Sequence, residues 1–156
     1  MSKSLMRVKA ALEAAGLPAE VLEFGAETRT AGQAAQAAGC ALDQIVKSII
    51  FRDEVEGHVV LFLTAGGNRV NAEKASRVAG RPLGTADAAL IRAETGFAIG
   101  GVAPVGHLRP VRAFLDPRLM QFDQVWAAAG TPRHVFAISP ADLARVASAD
   151  PADFTD

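Results

Sequence analysis

The stretch Ile45 to Thr64 reads I-V-K-S-I-I-F-R-D-E-V-E-G-H-V-V-L-F-L-T. Its two ends, Ile45 to Arg52 and His58 to Thr64, are rich in β-branched and aromatic residues and predict strands. Between them Asp53 to Gly57 is polar and ends on glycine, so the two strands are expected to fold back as a hairpin. A hairpin at this position argues for antiparallel pairing, since parallel neighbours need a long crossover. Along the first strand, alternation sets Ile45, Lys47, Ile49 and Phe51 on one face. Lys47 is then an ammonium on an otherwise apolar face. Its head either reaches water past the strand edge or stands at the mouth of a pocket, where partial burial strengthens its charge. The chain carries only four lysines against twelve arginines, which makes the placement of this one informative.

Outward from the hairpin, both flanks alternate between helical and extended patterns. Leu5, Val8, Leu12 and Ala15 recur at helical spacing, and Gly16 and Pro18 end that run. Val21, Leu22 and Phe24 suggest a short strand. Thr30-Ala-Gly-Gln33 has capping-box spacing before an alanine-rich helix that stops at Gly39. Cys40, the only cysteine, has no neighbouring histidine and reads as a small apolar residue. Asn71 caps a helix facing inward through Ala72, Ala75, Val78 and Ala79. Lys74, Arg77 and Arg81 lie along its other side, either as a solvated face or as a phosphate contact. Pro82 to Thr85 reads as a strand, Ala86 to Glu94 as a helix and Val111 to Leu115 as a strand. Asp116-Pro117 looks like a cap with Pro at the first helical position. Val125 to Ala129 and Val135 to Ser139 flank Gly130-Thr-Pro-Arg133 as a second hairpin. Ser139-Pro140-Ala-Asp142 starts a last helix, and Ser148 to Asp156 is expected to fray. About seven strands and five helices with two hairpins favour an α/β fold of the α+β type. Its sheet is mixed and mainly antiparallel, with helices around it.

Composition limits the function. At 156 residues the chain is read as a single domain, residues 1–156, large enough for its own core. A net charge of −1 supplies no global field toward nucleic acid or membrane, so an RNA contact needs a local patch. One cysteine, no basic-then-apolar leader and no long apolar run lead to the expectation of a cytoplasmic protein. No zinc-type Cys/His spacing, serine-hydrolase elbow or Walker loop is present, so neither metal nor cofactor is expected. Duplex DNA is a poor fit without a basic face or helix-turn-helix.

A second stretch, Phe97 to His107, reads F-A-I-G-G-V-A-P-V-G-H. Taken alone it is either an ordinary turn or a stiff loop presenting main-chain N–H groups to a carboxyl-like or carbonyl oxygen. Lys47 in I-V-K-S-I-I-F, followed about fifty residues later by T-G-F-A-I-G-G-V-A-P-V-G-H, resembles the YbaK/EbsC/ProX family. These are free-standing relatives of the editing domain inserted in bacterial prolyl-tRNA synthetases. The resemblance implies a mixed sheet curling into a barrel-like core, and hydrolysis of the ester joining a wrong amino acid to tRNA. Its partners would be the acceptor end of a mischarged tRNA and an aminoacyl-tRNA synthetase. It places catalytic roles on Lys47, Gly100 and Gly101. Substrate contacts fall on Val102, Ala103, Pro104, Gly106 and His107. Ala103 stands where the family usually has Ser before Pro, so no member's amino-acid preference transfers directly. A module that binds the same ligands without turnover is the alternative reading.

Overall fold

The computed structural model describes residues 2–156. Its elements in chain order are α1 (Lys3–Ala14), β1 (Val21–Glu23), α2 (Ala31–Ala38), β2 (Val46–Asp53), β3 (Val59–Ala65), α3 (Ala72–Ala79), β4 (Leu83–Thr85), α4 (Ala88–Thr95), β5 (Arg112–Leu115), β6 (Val125–Ala128), β7 (His134–Ile138), α5 (Pro140–Val146) and β8 (Ala149–Pro151). The helix starts follow local chemistry. Ser2, Thr30, Asn71, Asp87 and Ser139 each turn a side-chain oxygen onto an otherwise unpaired N–H of the first turn. Short 3-10 turns occupy Leu42–Gln44 and Pro117–Gln121.

The strands form two sheets, one ordered β1-β7-β6 and the other β4-β2-β3-β5-β8. Both expected hairpins are present. β2 and β3 pair antiparallel from Val46↔Ala65 to Arg52↔Val59, and β6 pairs β7 from Val125↔Ile138 to Ala128↔Val135. β5 joins parallel to β3, and β8 joins parallel to β5. The mixed, mainly antiparallel sheet thus divides in two, linked by a parallel bridge between Ile45 and Trp126.

Both faces of β2 are covered. Val46 and Ile50 join a core with Leu61, Leu63, Phe97, Val102 and Ala103, under α1 and α4. Ile49 and Phe51 pack toward Phe62, Phe114, Phe154 and the inner face of α3. Every residue of β3 is buried, as a central strand flanked on both sides requires.

The C-terminal segment departs from expectation. Ser148 to Asp156 does not fray: β8 extends the sheet, Val70 bridges Thr155, and Phe154 is fully buried against Phe62 with ring centroids 4.9 Å apart. The acidic composition of this segment hid one aromatic anchor. That anchor repays the ordering entropy of a short tail by burial of its ring.

Candidate functional site

The site begins at an interruption in a sheet edge. β2 is paired with β3 along its length, but on its other edge β4 pairs only with Phe51–Asp53 and β6 makes a single backbone bridge, at Ile45. Among the described residues no strand covers the edge between Val46 and Ile50. Over this gap lies a cavity of about 650 Å³, a size ordinary for small-molecule sites. Its walls come from the open edge of β2, from Thr28 to Ala34 at the start of α2, from Ile99, Gly100 and Val102, and from the β6–β7 hairpin.

Lys47 stands in this wall, half-buried. Its Nζ donates to the Asn68 carbonyl at 2.5 Å. That carbonyl is itself fixed. Asn68 Nδ2 donates to Asp116 Oδ2 at 2.9 Å, the Ala65 N–H donates to the same oxygen at 3.1 Å, and the Arg118 N–H donates to Oδ1 at 3.0 Å. Asp116 is only 2% exposed, so it is a buried carboxylate with both oxygens occupied. Next to it, Asp43 accepts from the Gly67 N–H at 2.7 Å and from Arg118 Nε at 2.9 Å. The Arg118 hydrogen bond foremost holds the Asp43 carboxyl below its usual range. Burial lowers the Lys47 ammonium below the ordinary lysine range, and the like charge of Arg69 adds to this. Asp116 and Asp43 oppose the shift.

The glycine loop is held from three sides. Gly100 has φ +95°, a conformation an L side chain rarely adopts, and it is exposed at the cavity. A Cβ on Gly101 would stand 2.8 Å from Thr131 Cα, so only glycine lets the loop lie against the β6–β7 turn. Ser48 Oγ donates to the Val102 carbonyl at 2.8 Å and ties the loop to β2 one residue from Lys47. From α1, Arg7 donates to the carbonyls of Gly96 at 2.7 Å and Gly106 at 3.2 Å, and its guanidinium lies over the Phe97 ring.

The structure brings together Lys47, Gly100 and Val102 and separates other expected site residues from them. Gly101 donates its N–H to the Ala98 carbonyl at 3.1 Å, so the expected pair of open donors at Gly100 and Gly101 reduces to Gly100. Ala103 is fully buried within the core. Pro104, Gly106 and His107 face a second cavity of about 560 Å³ on the far side of the loop. His107 Nε2 donates to the Ala103 carbonyl at 2.7 Å, and burial holds the ring below the usual histidine pKa despite that bond. It braces the loop from behind. On α3, Lys74 donates to the Thr155 carbonyl at 2.8 Å and pairs with Asp153, while Arg81 pairs with Glu56. Arg77 is exposed. None of these three lines the cavity.

Sequence reasoning passed over Ser48, Arg7, Asp116 as an anchor, and Trp126. For Ser48 a signal existed: a hydroxyl between Val46 and Ile50 on a face that is otherwise apolar. Among the described residues no group of three or more His, Cys, Asp or Glu is placed to hold a metal ion. No helix among them is long and apolar enough to cross a membrane.

Solved structures similar in sequence to this chain share its fold. Residues 25–146 match the family profile described as the aminoacyl-tRNA editing domain. A crystal structure of a candidate trans-editing enzyme for prolyl-tRNA synthetase superimposes with a TM-score of 0.93 at 46% identity, covering 100% of this chain and 99% of that one. The hypothetical protein APE2540 superimposes with a TM-score of 0.87 at 29% identity, over 96% and 99% of the two chains. The uncharacterized protein YwhH of Bacillus subtilis (strain 168) is 31% identical over 124 residues, 80% of this chain and 78% of its own.

Proposed function

The chain belongs to the aminoacyl-tRNA editing domain family, and from that membership we propose that it is a free-standing deacylase that hydrolyses the ester of mischarged tRNA. The observation that carries this reading is that Lys47 and Gly100 line one open cavity.

Hydrolysis of an aminoacyl ester moves negative charge onto the carbonyl oxygen as the tetrahedral intermediate forms. The groups that lower this barrier must already point at that oxygen. The Gly100 N–H is one such donor: it makes no hydrogen bond among the described residues and it sits at the cavity. Main-chain groups on the uncovered edge of β2 offer others. The Lys47 ammonium supplies a fixed positive charge in a partly desolvated wall, where it can hold a substrate phosphate or the aminoacyl group. We assign it this charge role and not that of general base, since an ammonium has no free electron pair. The attacking oxygen is that of a water brought within reach of the ester by the walls; a neighbouring ribose hydroxyl can relay its proton, and the departing ribose oxygen takes up a proton as the bond breaks. The bond from the acyl carbon to the ribose oxygen breaks, and the amino acid leaves as its carboxylate.

Selection falls to the size of the cavity. Walls can refuse a side chain that is too large, whereas a missing methylene is worth only about 1–3 kcal/mol. A small residue at Ala103 does not enlarge the space directly, because it lies in the core behind the loop.

The test is a panel of alanyl-, cysteinyl-, seryl- and threonyl-tRNAs, comparing wild type with Lys47→Ala. Wild type is expected to release at least one amino acid. Binding without release of any would favour a non-catalytic module.

A further inference from the structure

The cavity wall contains one large aromatic surface, and nothing in the ester chemistry above uses it. Trp126 is the only tryptophan of the chain, and the chain has no tyrosine. It is half-buried on β6, lines the cavity, and packs against the cluster of Phe24, Ala34, Ala35, Ile45 and Val135. Its indole N–H has no partner among the described residues, and no side-chain polar atom among them is both buried and unpartnered. The N–H therefore opens toward accessible space. An indole placed this way presents an apolar plane and an unspent donor to whatever enters.

Register fixes where that plane lies relative to Lys47. Ile45 and Trp126 are bridge partners in parallel orientation, so their side chains share a face of the sheet. Lys47, two residues on, shares that face as well. Two residues along a strand and one strand across correspond to about 8 Å between the Lys47 and Trp126 backbones. That is the scale of a nucleoside, with its base at one end and its ribose and acyl group at the other.

We infer that Trp126 is the seat of the terminal adenine of the acylated tRNA, which stacks on the indole while the ester lies between Lys47 and Gly100. This inference rests on the deacylase reading, because every tRNA ends in adenosine. Stacking on an aromatic side chain tolerates any base in principle. The indole N–H adds a donor that a purine ring nitrogen can accept, and the larger purine covers more of the plane.

The experiment uses the intact protein and its single tryptophan as reporter. The probes are 3'-deoxy-3'-(alanylamino)adenosine, whose amide resists hydrolysis, and the corresponding cytidine compound. Saturable quenching by the adenosine compound is expected, with little change from the cytidine compound at equal concentration. In deacylation assays, W126A is expected to raise KM on the order of ten- to a hundredfold with kcat nearly unchanged. W126F, which keeps a ring and guards against misfolding of the alanine variant, is expected to retain most of the affinity. Equal quenching by both compounds, or W126A changing which amino acid is removed while KM for the tRNA stays the same, would overturn the adenine seat. If wild type removes no amino acid but the adenosine compound still quenches selectively, the seat stands and the deacylase reading fails. If wild type and W126A deacylate alike, the reverse holds.

Discussion

At Lys47 the sequence showed the residue but not its partners. Alternation placed an ammonium on an apolar face; it could not show that the Asn68 carbonyl would receive it. Nor could it show that Asp116, which reads as a helix cap, would anchor that asparagine. Both contacts join residues far apart in the chain. Two predictions belong here. The ammonium is the binding form and its pKa is lowered, chiefly by burial and then by Arg69. Affinity for the alanylamino adenosine compound should therefore fall, as pH rises, at a lower pH than for an ordinary lysine. Arg69→Gln removes a like charge and should move that alkaline limb upward in a binding titration. Asp116→Ala strands the Ala65 N–H and the Asn68 amide in a buried site. It should cost on the order of 2–4 kcal/mol in denaturant melts and lower activity through Lys47. Asp116→Asn keeps an acceptor oxygen and should recover part of both.

At the scale of elements, patterns within one segment were legible and patterns between segments were not. Both hairpins and all five helices follow from local periodicity, turn residues and caps. β8 was missed because three residues, Ala149 to Pro151, carry no strand signal of their own. They are extended because β5 offers an edge and because Phe154 has a hole to fill. The ordered tail gives a direct prediction. Phe154→Ala should destabilise the protein by about 3–5 kcal/mol in thermal or denaturant unfolding, the range for an emptied aromatic site in a core. A frayed tail would show no change. The glycine loop was found in the sequence as a unit, yet only its first half faces the cavity. Its second half packs backward against α1, whose Arg7 clamps both ends of the loop. Nothing in the spacing of Gly100, Pro104 and Gly106 distinguishes the side that faces substrate from the side that faces support.

For the molecule as a whole, the family resemblance covered most of the chain, and the profile match over residues 25–146 confirms it. The cavity was beyond reach of the sequence, because it exists only where β4 and β6 leave an edge of β2 uncovered. That edge also adds main-chain polar groups, beside the Lys47 ammonium, to walls that are otherwise largely apolar. The α3 face proposed for phosphate contact has two of its three cations tied to acidic residues of the same chain. Arg29 and the Thr131–Pro132 turn, by contrast, line the cavity itself. The most direct test of the central claim is the rate of amino-acid release from mischarged tRNA by wild type and by Lys47→Ala under identical conditions. Release by wild type is expected, with a loss on the order of a hundredfold in kcat/KM for the variant and an unchanged melting curve. Equal rates for the two proteins, or no release by wild type from any substrate of the panel, would contradict the claim.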